Sequence, residues 1–224
     1  MDSHEVLGMA ERFKGLYTGL LYDVLEGMGI SNTALANNIK PLQDDMVLAG
    51  PAFTIRGHAT HIMDEKIHEI KLELIEHIHP GCIQVIDTGR DEACAHFGEI
   101  SATAAYAAGC RGAVIDGGTR DSNYLIKMGF PTFSRFQNPV EAYGRWMAFE
   151  YQIPIVVRGA IADVVVNPGD WVVGDRDGVV VIPEELVPEV LERAELDFVA
   201  EAKSRQAMAD GKNPFEVYRE YGKF

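Results

Sequence analysis

The sequence has little of what a secreted, membrane-spanning or disulfide-stapled protein needs. Its three cysteines, Cys82, Cys94 and Cys110, are an odd number without a CxxC spacing, which favours buried reduced thiols. The N-terminus carries acidic residues where a secretory signal has a basic segment, and no apolar run approaches the length that crosses a bilayer. We therefore expect a cytoplasmic protein without a membrane segment.

Basic charge is also scarce, since 20 Lys and Arg face 34 Asp and Glu for a net charge of −14. This balance argues against nucleic acid as a partner, because phosphate binding needs a basic surface. There is no P-loop and no GxGxxG motif, so a nucleotide cofactor lacks support. The 224 residues are 47% hydrophobic and show no repeat or linker, which predicts a single domain over 1–224.

The first part of the chain predicts helices and one long strand. Apolar residues at helical spacing indicate helices at 4–14 and 18–28, with Thr18 as a possible N-cap of the second. A strand-like run follows at 47–60. A further helix is expected along the apolar positions Ile67, Ile70, Leu74 and Ile78, ending at Pro80-Gly81.

The middle of the chain predicts a βαβ unit. Short apolar runs at 82–87 and 112–116 flank an alanine-rich helical segment at 99–108. Neither run alternates, which is typical of parallel strands buried on both faces. A helix at 121–128 and a strand at 131–136 extend the unit.

The last third changes character. Short Val-rich strands are separated by the turn sequences 167–170 (Asn-Pro-Gly-Asp) and 175–178 (Asp-Arg-Asp-Gly), which predict antiparallel hairpins, and 184–208 reads as a charged amphipathic helix. A parallel half and an antiparallel half predict a layered α/β sandwich with a parallel central sheet and an antiparallel second sheet.

Two loops of the parallel half carry the residues best suited to chemistry. Ligands bind beyond the carboxyl ends of parallel strands, where this chain places Gly98-Glu99 and, after Gly117-Gly118, Arg120-Asp121. The helix N-terminus at 98–101 and the Arg120 guanidinium both favour a carboxylate. Asp121 and Glu99 offer the hard oxygen ligands that Mg²⁺ prefers. The competing interpretation is an ordinary surface loop with a helix cap.

These motifs resemble a known family. Gly98-Glu99 followed after twenty residues by Arg120-Asp121, within the segment 109–121, is similar to the class II 4-hydroxy-4-methyl-2-oxoglutarate aldolases, a family that includes the regulator of ribonuclease E activity. The resemblance extends to 22–25, 50–54 and 167–183, which covers most of the chain. It implies a β/β/α sandwich of the swivelling-domain type.

The resemblance also implies roles for individual residues. Asp121 would be the direct ligand of Mg²⁺ or Mn²⁺, and Glu99 would hold the same ion through water. Arg120 would bind the carboxylate and keto oxygens of the substrate. The start of the helix at Gly98 would bind the substrate carboxylate through the amides of Ile100 and Ser101.

The activity implied is carbon–carbon cleavage of a 2-oxo acid, either retro-aldol cleavage of a 4-hydroxy-2-oxo acid to pyruvate or decarboxylation of oxaloacetate. The chain departs from the family at Glu99, where members acting as aldolases commonly have aspartate, so decarboxylation, which needs no base, is the safer prediction. The resemblance further implies a homotrimer or homohexamer with the site between subunits, completed by a C-terminal glutamate for which Glu192, Glu195 and Glu201 are candidates. The alternative function is non-catalytic binding and inhibition of ribonuclease E.

Other polar residues predict no separate site. Ser101 and His96 could suggest a nucleophile and a base, but no elbow motif surrounds the serine, and a role at the helix terminus is favoured. The histidines between 58 and 79 lack the HExxH spacing and are interpreted as surface or packing residues.

Overall fold

The computed structural model describes residues 2–63 and 66–222, with the backbone alone described at 66–68. The α-helices of these ranges are α1 (Ser3–Lys14), α2 (Thr18–Gly27), α3 (Lys66–Glu76), α4 (Glu99–Ala107), α5 (Ser122–Met128), α6 (Val187–Ala209) and α7 (Pro214–Tyr221), and a 3₁₀ turn at Glu184–Leu186 precedes α6. Among the described helices, none is long and apolar enough to cross a membrane.

The strands form one large mixed sheet and one hairpin. They are β1 (Lys40–Pro41), β2 (Leu48–Ala59), β3 (Ile83–Asp87), β4 (Ala95–Phe97), β5 (Ala113–Thr119), β6 (Thr132–Gln137), β7 (Trp146–Tyr151), β8 (Ile155–Val157), β9 (Val164–Val166), β10 (Trp171–Asp175) and β11 (Gly178–Ile182). The large sheet has the order β1-β6-β5-β3-β2-β10-β11, with β4 beside β5 and β7 beside β2, while β8 and β9 pair separately.

Strand β2 joins the parallel and antiparallel parts. Its residues 52–56 run parallel to β3, and its residues 48–51 run antiparallel to β10. The parallel order β2-β3-β5-β6 and the antiparallel pair β10–β11 confirm the predicted mixed α/β class and the hairpin predicted at 175–178. The hairpin predicted at 167–170 is wrong, because β9 pairs with β8 while β10 pairs with β2 and β11. The two sheets are not separate, however, because β2 belongs to both.

Burial explains why the central strands lack alternation. Every residue of β3 and β5 is buried, since helices α3 and α4 cover one face and the antiparallel strands cover the other. Ala102 and Ala105 of α4 are fully buried, so their small side chains let the helix approach the sheet closely. All three cysteines are free and buried, as predicted.

Several local predictions need correction. Thr18 is the first residue of α2 and not its cap; its amide N–H and its hydroxyl both donate to the Asp175 carboxylate, at 2.8 and 2.7 Å. A side chain that is distant in sequence therefore caps this helix, which local pattern could not reveal. The short strands β1, β4 and β7 and helix α7 were not predicted. Of these, β4 matters most, because it carries the chain into the candidate site.

Candidate active site

The two predicted loops lie side by side because β4 pairs in parallel with β5. Phe97 lies opposite Thr119 in this pairing, and the amide N–H of Arg120 donates to the Phe97 carbonyl over 2.9 Å. The chain then leaves β4 through Gly98 into α4 and leaves β5 through Arg120 and Asp121 into α5. The carboxyl ends of the two strands therefore bring the N-termini of two helices together.

The Asp121 carboxylate lies against the start of α4. Its Oδ2 atom accepts the amide N–H of Glu99 at 3.2 Å, and the Arg120 Nε atom lies 3.5 Å from the same oxygen. The Asp121 backbone is left-handed, with φ 60° and ψ 30°, a conformation that aspartate tolerates better than most residues. This backbone turn directs the carboxylate away from its own helix and toward α4.

Gly98 is required by this close approach. A Cβ atom at Gly98 would lie 2.7 Å from Asp121 Oδ2 and 3.0 Å from Arg120 Cγ, both inside normal contact distance. The Gly98 backbone is extended, with φ −157°, so the requirement for glycine is steric and not conformational.

The structure places the Glu99 carboxylate elsewhere. Its Oε1 atom accepts a hydrogen bond from the Thr103 hydroxyl at 3.2 Å, one turn along α4. The backbone amide of Glu99, and not its carboxylate, makes the contact with Asp121. A water-mediated role of Glu99 at a metal stays a prediction, and it requires the side chain to leave Thr103.

A cavity of about 300 Å³ opens beside these groups. The predicted residues Gly98, Ile100, Ser101, Arg120 and Asp121 line it, whereas Glu99 is not among its lining residues. Lining residues that the sequence did not suggest are Lys71, Glu141 and Tyr143, and His96, for which the sequence predicted no separate site, also lines the cavity. Lys71 comes from α3 and Glu141 from the segment before β7, so no local motif connects them with Arg120.

Opposite charges alternate around the cavity. Arg120 lies between two carboxylates, with its Nη2 atom 3.6 Å from Glu141 Oε1 and its Nε atom 3.5 Å from Asp121 Oδ2. Lys71 is solvent-accessible but partly desolvated beside the cavity; this desolvation lowers its pKa, with Glu141 opposing the shift and Arg120 adding to it. The arrangement suits a small anion whose charge meets Arg120, Lys71 and the helix N-terminus.

Asp91, Cys94 and His96 form another group of metal-ligand types, with ligand atoms within 4.8 Å of one another. Their hydrogen bonds argue against a metal there. Nδ1 of His96 accepts the Gly118 amide N–H at 3.0 Å, so Nε2 carries the proton and donates to Asp91 Oδ2 at 3.0 Å. A metal on Nε2 would leave a protonated Nδ1 facing that N–H group. Burial, reinforced by Asp91, raises the pKa of the Cys94 thiol to about 12.

The buried His96 side chain should make the stability of the protein depend on pH. Burial lowers its pKa, with Asp91 opposing the shift. The unfolded chain then binds a proton at His96 more readily than the folded chain, so the free energy of unfolding should fall as pH drops below about 6.5. Urea unfolding at pH 7.5 and 5.5 should show a smaller acid-induced loss in His96→Asn than in the parent protein. An equal loss in both proteins would contradict this assignment.

The candidate C-terminal glutamates lie on α6 and have different surroundings. Glu195 receives two hydrogen bonds from Arg12 of α1, at 2.8 and 2.7 Å. Glu201 accepts hydrogen bonds from Tyr17 and Arg205. Glu192 is exposed. None of the three lines the described cavity of its own chain, so a contribution to a neighbouring subunit stays a prediction.

Comparisons with known proteins agree with this fold. A family model described as "RraA-like: Aldolase/RraA" matches residues 18–181. A protein of Halalkalibacterium halodurans named "Putative 4-hydroxy-4-methyl-2-oxoglutarate aldolase" is 29% identical over 209 residues, which cover 93% of this chain and 92% of that protein.

Solved structures share the architecture. One, described as "Crystal structure of novel cellulases from microbes associated with the gut ecosystem", has a TM-score of 0.82 and 32% identity and covers 91% of this chain and 88% of its own. Streptomyces coelicolor RraAS2, described as an unusual member of the RNase ES inhibitor RraA protein family, has a TM-score of 0.76 over 88% of this chain and 96% of its own. Its 22% identity supports similarity of fold alone.

Proposed function

Because the chain belongs to the RraA-like Aldolase/RraA family, we propose that it is a divalent-metal-dependent carbon–carbon lyase acting on 2-oxo acids. The observation that carries the proposal is the cavity in which the Arg120 guanidinium, the Asp121 carboxylate and the N-terminus of α4 meet. The aldolase name of the Halalkalibacterium halodurans relative supports the same reaction class.

The residues at the cavity fit a hard cation such as Mg²⁺ or Mn²⁺. The Asp121 side chain is 40% exposed, and the described residues donate to its carboxylate only the Glu99 amide hydrogen bond. Carboxylate lone pairs therefore stay available for a metal that keeps most of its waters. Such an ion would act as a Lewis acid on the substrate carbonyl, a contribution of several kcal/mol to transition-state stabilisation.

The chain's own groups would bind and orient the substrate. Arg120 would hold the 2-oxo acid through its carboxylate and keto oxygens, and the amides of Ile100 and Ser101 at the start of α4 would receive the carboxylate. In oxaloacetate the C3–C4 bond breaks, carbon dioxide leaves, and the electron pair forms the enolate of pyruvate, which takes a proton at C3 from solvent. This reaction needs no side chain to act as a base.

Retro-aldol cleavage makes one further demand. The hydroxyl proton of a 4-hydroxy-2-oxo acid must be removed as the C3–C4 bond breaks, which needs a base. Glu99 is the predicted candidate acting through water, but its carboxylate is hydrogen-bonded to Thr103. We therefore propose decarboxylation of oxaloacetate as the more robust activity and retro-aldol cleavage as the activity that depends on Glu99 moving.

The test is an oxaloacetate assay with pyruvate detected by a coupled dehydrogenase. The protein with Mg²⁺ should produce pyruvate faster than Mg²⁺ alone, and a chelator should remove the difference. The metal-only reaction is an essential control, because free divalent ions also promote this decarboxylation. Failure of the protein to exceed the metal-only rate, with either Mg²⁺ or Mn²⁺, would contradict the proposed function.

Two other functions were considered, inhibition of ribonuclease E and hydrolysis of glycosides. Binding and inhibition of ribonuclease E would be favoured if turnover is absent while the protein inhibits that enzyme; the net charge of −14 would suit a basic partner surface. Glycoside hydrolysis needs two carboxyl groups placed to act separately on one sugar bond. Here the Asp121 and Glu141 carboxylates lie 3.5 and 3.6 Å from the same Arg120 guanidinium and are not placed to act separately, so we do not propose that activity.

The proposed homotrimer or homohexamer is supported by exposed apolar side chains at the C-terminus. Leu196 and Val199 of α6 and Phe215 and Tyr218 of α7 are all more than half exposed. Apolar surface of this kind commonly marks a protein–protein interface. Assembly through these helices would place α6 of one subunit near another subunit, as a site shared between subunits requires.

A further inference from the structure

A second cavity of about 430 Å³ continues from the charged one. It lies beneath α3 and α4 on the sheet, and both cavities share the polar lining residues Lys71, His96, Ser101, Arg120 and Glu141. A small molecule held by Arg120 would therefore meet two different environments. Its charged end would face Asp121 and the start of α4, and the rest of it would extend under the two helices.

The walls of this second cavity are mainly apolar. Beyond the shared residues it is bounded by Ile55, Leu74, Ile75, Ile86, Trp146 and Ala148. A carboxylate placed among these side chains would lose its hydration without gaining a partner, which is unfavourable. At the entrance, Arg120 lies between two carboxylates, with its Nη2 atom 3.6 Å from Glu141 Oε1 and its Nε atom 3.5 Å from Asp121 Oδ2.

Among the lining residues that are not shared with the first cavity, one is polar. Gln84 of β3 is 4% exposed and lines the cavity, and its Oε1 atom has no hydrogen-bond partner in the described part of the chain. A buried amide oxygen without a partner destabilises a protein, so a ligand group that pairs with it gains affinity. Rotation of the amide would present its NH₂ group to the same space, so a hydroxyl, which both donates and accepts, satisfies either orientation.

We propose that this cavity is the subsite for the distal part of the substrate, and that it selects 2-oxo acids with an uncharged, mainly apolar chain carrying a hydroxyl that reaches Gln84. This inference rests on the proposed function, because Arg120 must hold the 2-oxo acid end. It names a substrate class with one charged end, in contrast to a dicarboxylate whose second carboxylate would pair with Lys71 at the entrance.

The fluorescence of a tryptophan in the cavity wall can report ligand binding. Trp146 lines it, whereas Trp171 belongs to the separate core that includes Phe13. Trp171→Phe leaves Trp146 as the single tryptophan and removes a buried indole N–H that has no described partner. In this background, with Mg²⁺ present, we would titrate pyruvate, 2-oxobutanoate, 2-oxopentanoate and 2-oxohexanoate and follow Trp146 fluorescence, with calorimetry as a second measurement.

The expected result is a Kd that tightens about fourfold for each added methylene. The dicarboxylate 2-oxoglutarate should bind more weakly than 2-oxopentanoate, which has the same chain length. Among 2-oxohexanoates hydroxylated at different carbons, at least one should bind about fivefold or more tightly than the parent acid. Gln84→Leu should remove that preference while keeping the dependence on chain length.

A matched pair of alanine variants tests whether the dependence on chain length arises in this cavity. Ala104 of α4 lines the cavity and Ala107 of the same helix is exposed. Ala104→Phe should weaken 2-oxohexanoate binding at least tenfold and leave pyruvate binding unchanged, and Ala107→Phe should change neither. Constant affinity along the series, tighter binding of 2-oxoglutarate than of 2-oxopentanoate, or equal effects of the two variants would each overturn the subsite.

Turnover measured in the same preparation separates this proposal from the proposed function. Metal-dependent oxaloacetate decarboxylation together with a flat chain-length series overturns the subsite alone. Binding that strengthens with chain length but is accompanied by no turnover supports the subsite and overturns the proposed lyase activity.

Discussion

Asp121→Asn should lower metal-dependent oxaloacetate decarboxylation by about 10³-fold, which corresponds to roughly 4 kcal/mol of lost transition-state stabilisation. Asparagine keeps an oxygen that can accept the Glu99 amide hydrogen bond, 3.2 Å long in the parent protein, so the junction of α4 and α5 should persist. What is lost is the negative charge available to a cation. Rate measurements over a range of Mg²⁺ concentrations should show that added metal does not restore the parent rate.

Two controls make this prediction specific. The melting temperature of Asp121→Asn should stay within a few degrees of the parent value, which separates loss of the ligand from loss of the fold. Asp45→Asn changes charge equally at an exposed aspartate outside the cavity and should keep full activity. Undiminished decarboxylation by Asp121→Asn would show that this carboxylate is not the metal ligand.

Gly98→Ala should reduce kcat/KM about 100-fold although it adds a single methyl group. The added carbon would lie 2.7 Å from Asp121 Oδ2 and 3.0 Å from Arg120 Cγ, so one or both side chains must move. A displacement of this size at groups that position substrate and metal commonly lowers activity by about two orders of magnitude. Crowding should also destabilise the fold by about 1–3 kcal/mol, measurable by urea unfolding.

Gly8→Ala is the matched control. Gly8 lies in α1, and a Cβ built there meets no atom within 4 Å. Replacing a helical glycine by alanine in open space stabilises a protein by up to about 1 kcal/mol, and activity should be unchanged. If Gly98→Ala retained parent activity, the contact between α4 and the Asp121 carboxylate would have no role in positioning.

The elements that the sequence predicted well are those with local signals. The non-alternating apolar runs that became β3 and β5 indicate strands buried on both faces, and the structure pairs them in parallel. The turn sequence at 175–178 correctly predicted the β10–β11 hairpin. The strand β4 was not predicted because three residues are too few to show the alternation of apolar and polar residues that indicates a strand.

Cavity composition could not be predicted in the same way. The motif around Arg120-Asp121 and the helix start at Gly98 were visible because each lies at the end of a recognisable strand or at the start of a helix. Lys71 and Glu141 carry no motif and reach the cavity from separate elements, so their proximity to Arg120 depends on how α3 and the segment before β7 pack. Glu99 is the opposite case. Its residue type and position predicted a role at the site, but its carboxylate accepts a hydrogen bond from Thr103 of the same helix.

The sequence by itself therefore determined the mixed α/β class, the parallel and antiparallel halves, and the two loops that hold Gly98, Arg120 and Asp121. These follow from periodicity and turn chemistry, which act over a few residues. Only the tertiary structure decided that Asp121 contacts the Glu99 amide. It also decided that an apolar cavity adjoins the charged one and contains a Gln84 oxygen with no partner among the described residues. Such features arise where distant segments pack, and the packing energy that selects them is summed over the whole core.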